Sequence, residues 1–98
     1  MLDVRGLTWD PTNVAHIARH GITADDVVAV CEGSHIVREG YTQRLMLIGP
    51  VGNDRMVAVI LDPEGDDIYY PVTARPASRR ERMMYAQEME SHGDHHAD

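Results

Sequence analysis

The sequence predicts an α+β domain, a meander of three to five antiparallel strands with two helices before it and one after. Three observations predict it. Two segments near the N-terminus each open on a helix-capping residue, Asp10 or Thr23, and each ends at a glycine, Gly21 or Gly33. Three strand-like runs follow at hairpin spacing, separated by turns rich in Pro, Gly, Asn and Asp. From Ser78 the pattern turns helical again. Strands grouped between helices suggest an antiparallel sheet with the helices packed on one face.

In chain order, residues 5–9 read as a short strand or an extended lead-in. Asp10-Pro11 is a strong helix start, with Asp as N-cap and Pro at the first helical position. The first helix is expected to bury Val14, Ile17 and Ala18. Asn13, His16 and His20 lie within about 60° of one another on a neighbouring side, from the 100° helical step. Thr23 caps a second helix over 24–32, with Asp25 and Asp26 favourable in its first turn. Val27, Val28, Val30 and Cys31 supply its apolar surface. A short extended piece is expected at 35–38, then strands at 43–48, 55–61 and 67–74. Turns fall at 50–54 and 62–66. Pro71 removes a ladder donor, so an edge position or a bulge is expected there.

The third helix begins where Pro76 interrupts the last strand. Ser78 and Glu81 have the spacing of a capping box. Met84, Tyr85 and Met89 share one side, taken as the buried face, while Arg79, Arg80 and Met83 point largely the other way. Glu81 falls on the buried side, where a carboxylate needs a partner. Arg75, Arg79, Arg80 and Arg82 fall within eight residues and are four of the nine arginines. Arginine suits phosphate because its planar fork donates two hydrogen bonds at once. Solvation of the helix is the plainer use for such a cluster.

The 98 residues suffice for one domain over 1–91, with a disordered His/Asp-rich tail at 92–98 whose spacing fits no zinc pattern. Residues 1–9 contain no apolar run, so no signal peptide is expected, and the longest apolar run, 56–61, is too short to span a membrane. One cysteine, Cys31, excludes an internal disulfide and fits a cytoplasmic location. The formal charge of −7 argues against broad, non-specific nucleic-acid binding. It leaves room for a local basic site or a basic partner.

Trp9-Asp10, then Asn13-Val14-Ala15-His16-Ile17-Ala18-Arg19-His20-Gly21-Ile22, then the meander, then Val72-Thr73-Ala74-Arg75 followed by Ser78, Glu81 and Tyr85 resemble the BrnT family of bacterial toxins. The resemblance covers most of residues 8–88. It implies a compact fold similar to RelE-type ribonucleases, cleavage of RNA, inhibition of translation, and neutralisation by a cognate BrnA-like antitoxin whose DNA-binding domain represses the shared operon. It also implies assembly as a dimer or as a heterotetramer with that antitoxin. The commoner family form has Lys-His-Gly where this chain has Arg19-His20-Gly21, and this chain has no lysine at all. Arginine can hold a phosphate in lysine's place but stays protonated, so it is a poor proton donor.

Metal-free RNA cleavage needs a base for the 2′-hydroxyl, a cation for the phosphorane-like transition state and an acid for the leaving 5′-oxygen. His16 and His20, at i and i+4, supply a proton-transfer pair. Arg75 supplies the cation, and Glu81 or Tyr85 can orient these groups. Asn13, Arg19, Arg79, Arg80 and Tyr85 are the candidate RNA contacts. No metal site and no cofactor is expected. Convergence of these groups requires the first and third helices to flank the same sheet edge. The same histidines can instead solvate the first helix or cap its C-terminus. The alternative function is a non-catalytic interaction domain of the same fold that binds a basic antitoxin-like partner.

Overall fold

The computed structural model describes residues 1–52 and 54–94. Its elements are β1 (Gly6–Leu7), α1 (Pro11–Ala18), α2 (Ala24–Glu32), β2 (Ile36–Glu39), β3 (Leu45–Val51), β4 (Arg55–Gly65), β5 (Ile68–Pro76) and α3 (Arg79–Asp94). The predicted α+β class holds. The five strands form one sheet in the order β1-β5-β4-β3-β2. Strands β2 to β5 are the expected antiparallel meander, and the short β1 adds a parallel partner to β5. No helix among the described residues is long and apolar enough to cross a membrane.

Helix starts follow their caps. Asp10 accepts from the Asn13 N–H at 2.8 Å while the Asn13 side-chain oxygen accepts from the Asp10 N–H at 2.9 Å. Thr23 and Asp26 make the same reciprocal pair. Gly21, at φ +75°, takes the left-handed conformation that ends α1. Strand limits depart from the pattern by several residues. Strand β3 runs through Pro50 to Val51, and β4 continues to Gly65. The turn shrinks to Asp66-Asp67, at φ 58° and 62°, a conformation aspartate tolerates. The bulge expected at Pro71 is present: Ile60 pairs with Thr73 and Leu61 with Pro71, so Val72 is extra.

The helices do not share one face of the sheet, as the sequence had suggested. On one side Ile17, Ile22, Val27, Val30 and Cys31 meet Leu47, Val57, Val59, Leu61 and Ala74. On the other, Met84, Tyr85 and Met89 of α3 cover Ile36, Ile48, Ala58 and Ala77. The strands read apolar on both faces for this reason, since consecutive residues such as Val57, Ala58 and Val59 go to opposite cores. The expected buried stripe of α1 also needs correction. Ile17 is buried, but Val14 is 44 % exposed and Ala18 is exposed. With only two turns, α1 docks on β5 through one apolar side chain and the buried Asn13. Helix α3 continues through Asp94, and the remainder of the tail expected at 92–98 lies outside the described residues.

His35, which the sequence reading did not single out, ties the N-terminus to the core. Its Nε2 accepts from the Leu2 N–H at 3.0 Å, and its Nδ1 lies 2.9 Å from the Val30 carbonyl oxygen. That network requires the neutral tautomer with its proton on Nδ1. Gly49 of β3 lies directly beneath this loop: a Cβ there would sit 2.7 Å from the Ser34 carbonyl oxygen and 3.2 Å from the His35 Cβ. Gly49→Ala is therefore expected to lower the urea midpoint by the equivalent of roughly 1–3 kcal/mol at constant slope. An unchanged midpoint would mean that the loop does not press on β3.

Candidate active site at the end of the sheet

Ser78, which caps α3, follows β5 after Ala77 alone, so the last strand and the helix are joined by a tight corner. Arg75 lies in register with Ala58 and so faces the α3 side of the sheet. There its Nη1 donates to Glu81 Oε1 at 2.7 Å and its Nη2 to Oε2 at 2.8 Å. The same carboxylate accepts the Ser78 N–H at 2.8 Å, and Ser78 Oγ accepts the Glu81 N–H at 3.1 Å. Glu81 is 8 % exposed. Hydrogen bonding from Arg75, opposed by burial and aided by the Ser78 N–H, holds the Glu81 carboxyl at about 2. The ion pair raises the Arg75 guanidinium further above its ordinary value. The cation expected at Arg75 is thus a clasped one, and of the two residues expected to orient it, Glu81 holds it.

His16 and His20 lie on α1 and the turn after it, on the opposite side of the sheet. Both are exposed, with ring centroids 6.1 Å apart. Arg19, between them and the turn, is also exposed. Asn13 does not join them. It is 1 % exposed, and its amide is spent on the Asp10 N–H and, at 2.9 Å, on the Thr8 carbonyl. That removes it from the surface available to RNA. Tyr85 is half-buried and its hydroxyl donates to Ser34 Oγ at 3.2 Å, on the β2 side of α3. Arg79 and Arg80 are exposed and border a shallow hollow with Met83 and Gln87.

The two histidines and the Arg75–Glu81 pair are therefore separated by the sheet rather than gathered at its edge. The layers meet instead at one end of it, where β4 begins and β5 finishes. A cleft there is lined by Ile22, Arg55, Met56, Pro76, Ala77 and Arg82. Ile22 belongs to the α1–α2 turn, two residues after His20, and Pro76 directly follows Arg75. Arg55 reaches the Gly21 carbonyl at 3.4 Å and Asp26 at 3.3 Å. Arg82 donates to the Ala77 carbonyl at 3.3 Å. The sequence reading passed over Arg55 and used Arg82 only as one of a cluster. The signal for Arg55 was its place at the start of a strand immediately after a turn. Among the described residues, the arginines with no carboxylate at salt-bridge distance are Arg5, Arg19, Arg79, Arg80 and Arg82.

No family model matches the chain, and no curated protein matches it. Among solved structures, the chain is similar to the 1.1 Å crystal structure of the ribonuclease toxin BrnT of Brucella abortus. The identity is 30 %, the TM-score is 0.61, and the match covers 76 % of this chain and 97 % of that one.

The depressed carboxyl of Glu81 makes a definite claim about stability. Its free energy contribution is full above the ordinary glutamate value of 4.5 and is lost as pH falls through about 2. Because the Arg75 side chain is 38 % exposed, solvent screening limits the contribution to about 1–2 kcal/mol. Glu81→Gln should lose that amount at pH 7 and flatten the fall in stability between pH 5 and pH 2. Urea unfolding of both proteins across that range measures it, and parallel curves would contradict it.

Proposed function

This chain belongs to the BrnT toxin family, and from that premise we propose that it is a ribonuclease toxin that cleaves RNA by metal-independent general acid–base chemistry. The observation that carries the proposal is the similarity to the Brucella ribonuclease toxin over nearly the whole of that protein. His16 and His20 support it as a solvent-facing imidazole pair able to pass protons to and from RNA oxygens. In the proposed reaction one imidazole takes the 2′-hydroxyl proton as that oxygen attacks phosphorus. The other protonates the departing 5′-oxygen. Because Arg75 lies on the other face of the sheet, the RNA must pass over the sheet end where the two layers meet for Arg75, fixed in direction by Glu81, to face the negative charge that builds on the phosphoryl oxygens. Glu81 acts as a positioning residue. Arg19, Arg79 and Arg80 supply further phosphate contacts.

The proposed partners are RNA as substrate and a BrnA-like antitoxin with a DNA-binding domain, which holds the toxin inactive in the cytoplasm as a dimer or a heterotetramer. Released toxin would inhibit translation. A non-catalytic interaction domain is the second reading, and one observation favours it. Two donor groups of Arg75 are already occupied by Glu81, which lessens the positive charge available to a transition state. Such a domain would bind a basic partner through its acidic surface and cleave nothing.

The test is incubation of a mixed RNA with the purified, partner-free protein in EDTA, beside folded His20→Ala and Arg75→Ala variants. Cleavage by the wild type is expected to survive EDTA and to fall on the order of 100-fold or more in each variant. A wild type that neither cleaves RNA nor arrests growth on induction would leave the interaction-domain reading in its place.

A further inference from the structure

The cleft at the sheet end has a use that the histidines and Arg75 do not fill. Its floor is apolar, made by Ile22, Met56 and Ala77, and a guanidinium stands on each side, Arg55 from β4 and Arg82 from α3. Neither arginine uses all of its donors. Arg82 makes one bond, to a carbonyl, and has no carboxylate at salt-bridge distance among the described residues. Arg55 is paired with both carboxylate oxygens of Asp26 at 3.3–3.4 Å and reaches the Gly21 carbonyl at 3.4 Å, and half of its side chain is exposed. A guanidinium has five donors, so Arg82, with one bond made, and Arg55, with three, both keep free donors for a ligand. Two such forks flanking an apolar floor suit a phosphate joined to a flat, weakly polar ring. The walls are also fixed. The Ala77 N–H donates to the Met56 carbonyl at 2.8 Å, and Ile22 is held by its N–H to the Ile17 carbonyl at 3.1 Å.

From this geometry we infer that the cleft is a nucleotide subsite, in which Arg55 and Arg82 grip one phosphate of single-stranded RNA and the floor carries its base. The inference rests on the ribonuclease reading for the identity of the ligand. It places that ligand beside His20, whose neighbour Gly21 is the residue Arg55 touches. Asp54, also on the cleft wall, opposes the anion. Its removal should tighten binding, and this sign is opposite to that expected for the arginines.

Amide shifts of the full chain titrated with uridine 3′-monophosphate test the subsite directly. Ile22, Val57 and Ala77 should shift. Arg55→Gln and Arg82→Gln should each weaken binding roughly tenfold, from the loss of one charge-assisted contact. Arg82→Lys should recover part of that loss, which repair of the Ala77 bond alone would not do, and Asp54→Asn should strengthen binding. Arg44→Gln is the charge-matched control: Arg44 precedes Leu45, which pairs with Leu61 at the other end of the sheet, and it should change nothing. Three results would overturn the inference: shifts confined to other amides, equal weakening by Arg44→Gln, or a cleft that ignores the nucleotide while a carboxylate-bearing antitoxin shifts the same amides. RNA cleavage measured on the same samples separates the two claims. Nucleotide binding in the cleft without any cleavage removes the ribonuclease reading and leaves the subsite. Cleavage by Arg55→Gln and Arg82→Gln at wild-type affinity does the reverse.

Discussion

The bidentate pair between Arg75 and Glu81 is the constraint on which the second half of the molecule depends. Helix α3 offers little apolar surface to the sheet, essentially Met84, Tyr85 and Met89. Burial of three partly exposed side chains is a weak guide to where a helix of 16 residues should lie. The corner supplies the missing direction. One carboxylate closes the helix N-terminus through Ser78 and grips the last strand through Arg75. A buried ion pair is often no more stabilising than a well-packed apolar pair would be, but it tolerates only one geometry. The Arg38–Glu88 pair at 3.0 Å and the Tyr85–Ser34 bond at 3.2 Å then hold the far part of α3 over β2. Without the clasp, Ile36, Ile48 and Ala58 would still need covering, but only the contacts of the far part of α3 would say at which angle.

The clasp also divides labour among the arginines. Arg75 cannot swing: its plane is set by two bonds to Glu81, and its Nη1 also lies 3.5 Å from the Pro76 carbonyl. Glu81 cancels much of its charge but none of its remaining donors. A fixed, partly neutralised guanidinium is suited to directing hydrogen bonds at a developing charge, where preorganisation matters more than net attraction. Arg79, Arg80 and Arg82 begin the same helix without carboxylate partners among the described residues, so net positive charge is placed next to the clasp rather than in it.

Much of this could be read from the sequence wherever the cause was local. Asp10, Thr23 and the Ser78–Glu81 box each act over three residues, and all three caps form where their spacing puts them. An irregularity at Pro71 was foreseeable because a missing N–H leaves an edge position or a bulge, and the structure has the bulge. The failures came from non-local causes. Helical periodicity placed Val14 and Ala18 beside Ile17, but a two-turn helix meets the sheet along a narrow line. Asn13 took the buried place because its own cap already satisfied its amide. The assignment of helices to one face failed because both faces of the strands are apolar, a pattern that shows that two layers exist but not which helix forms which. The helices fail to meet at a common sheet edge for the same reason. Helices on opposite faces do not share an edge, but they do share the end of the sheet, and only the register of Arg55, Met56 and Pro76 reveals it.

The charge distribution resolves the apparent conflict between an acidic chain and the polyanionic substrate proposed for it. A net charge of −7 repels RNA at long range, yet salt confines that repulsion to a Debye length of about 8–10 Å. Inside that distance the outcome depends on which groups face the ligand. Among the described residues, three of the five arginines without carboxylate partners lie in the first turn of α3, and Arg19 lies beside the histidines. A basic partner meets the opposite arrangement: it is drawn in by the acidic bulk and gains nothing from the arginine end unless it brings carboxylates there. The two proposed partners would thus be sorted by range. An antitoxin would be recruited through the field of the whole molecule, and RNA held by contacts of a few ångströms. Association with RNA should therefore be slow and local, whereas association with the antitoxin should be fast and sensitive to salt. On this account the acidity of the chain keeps an unoccupied toxin more accessible to its inhibitor than to its substrate.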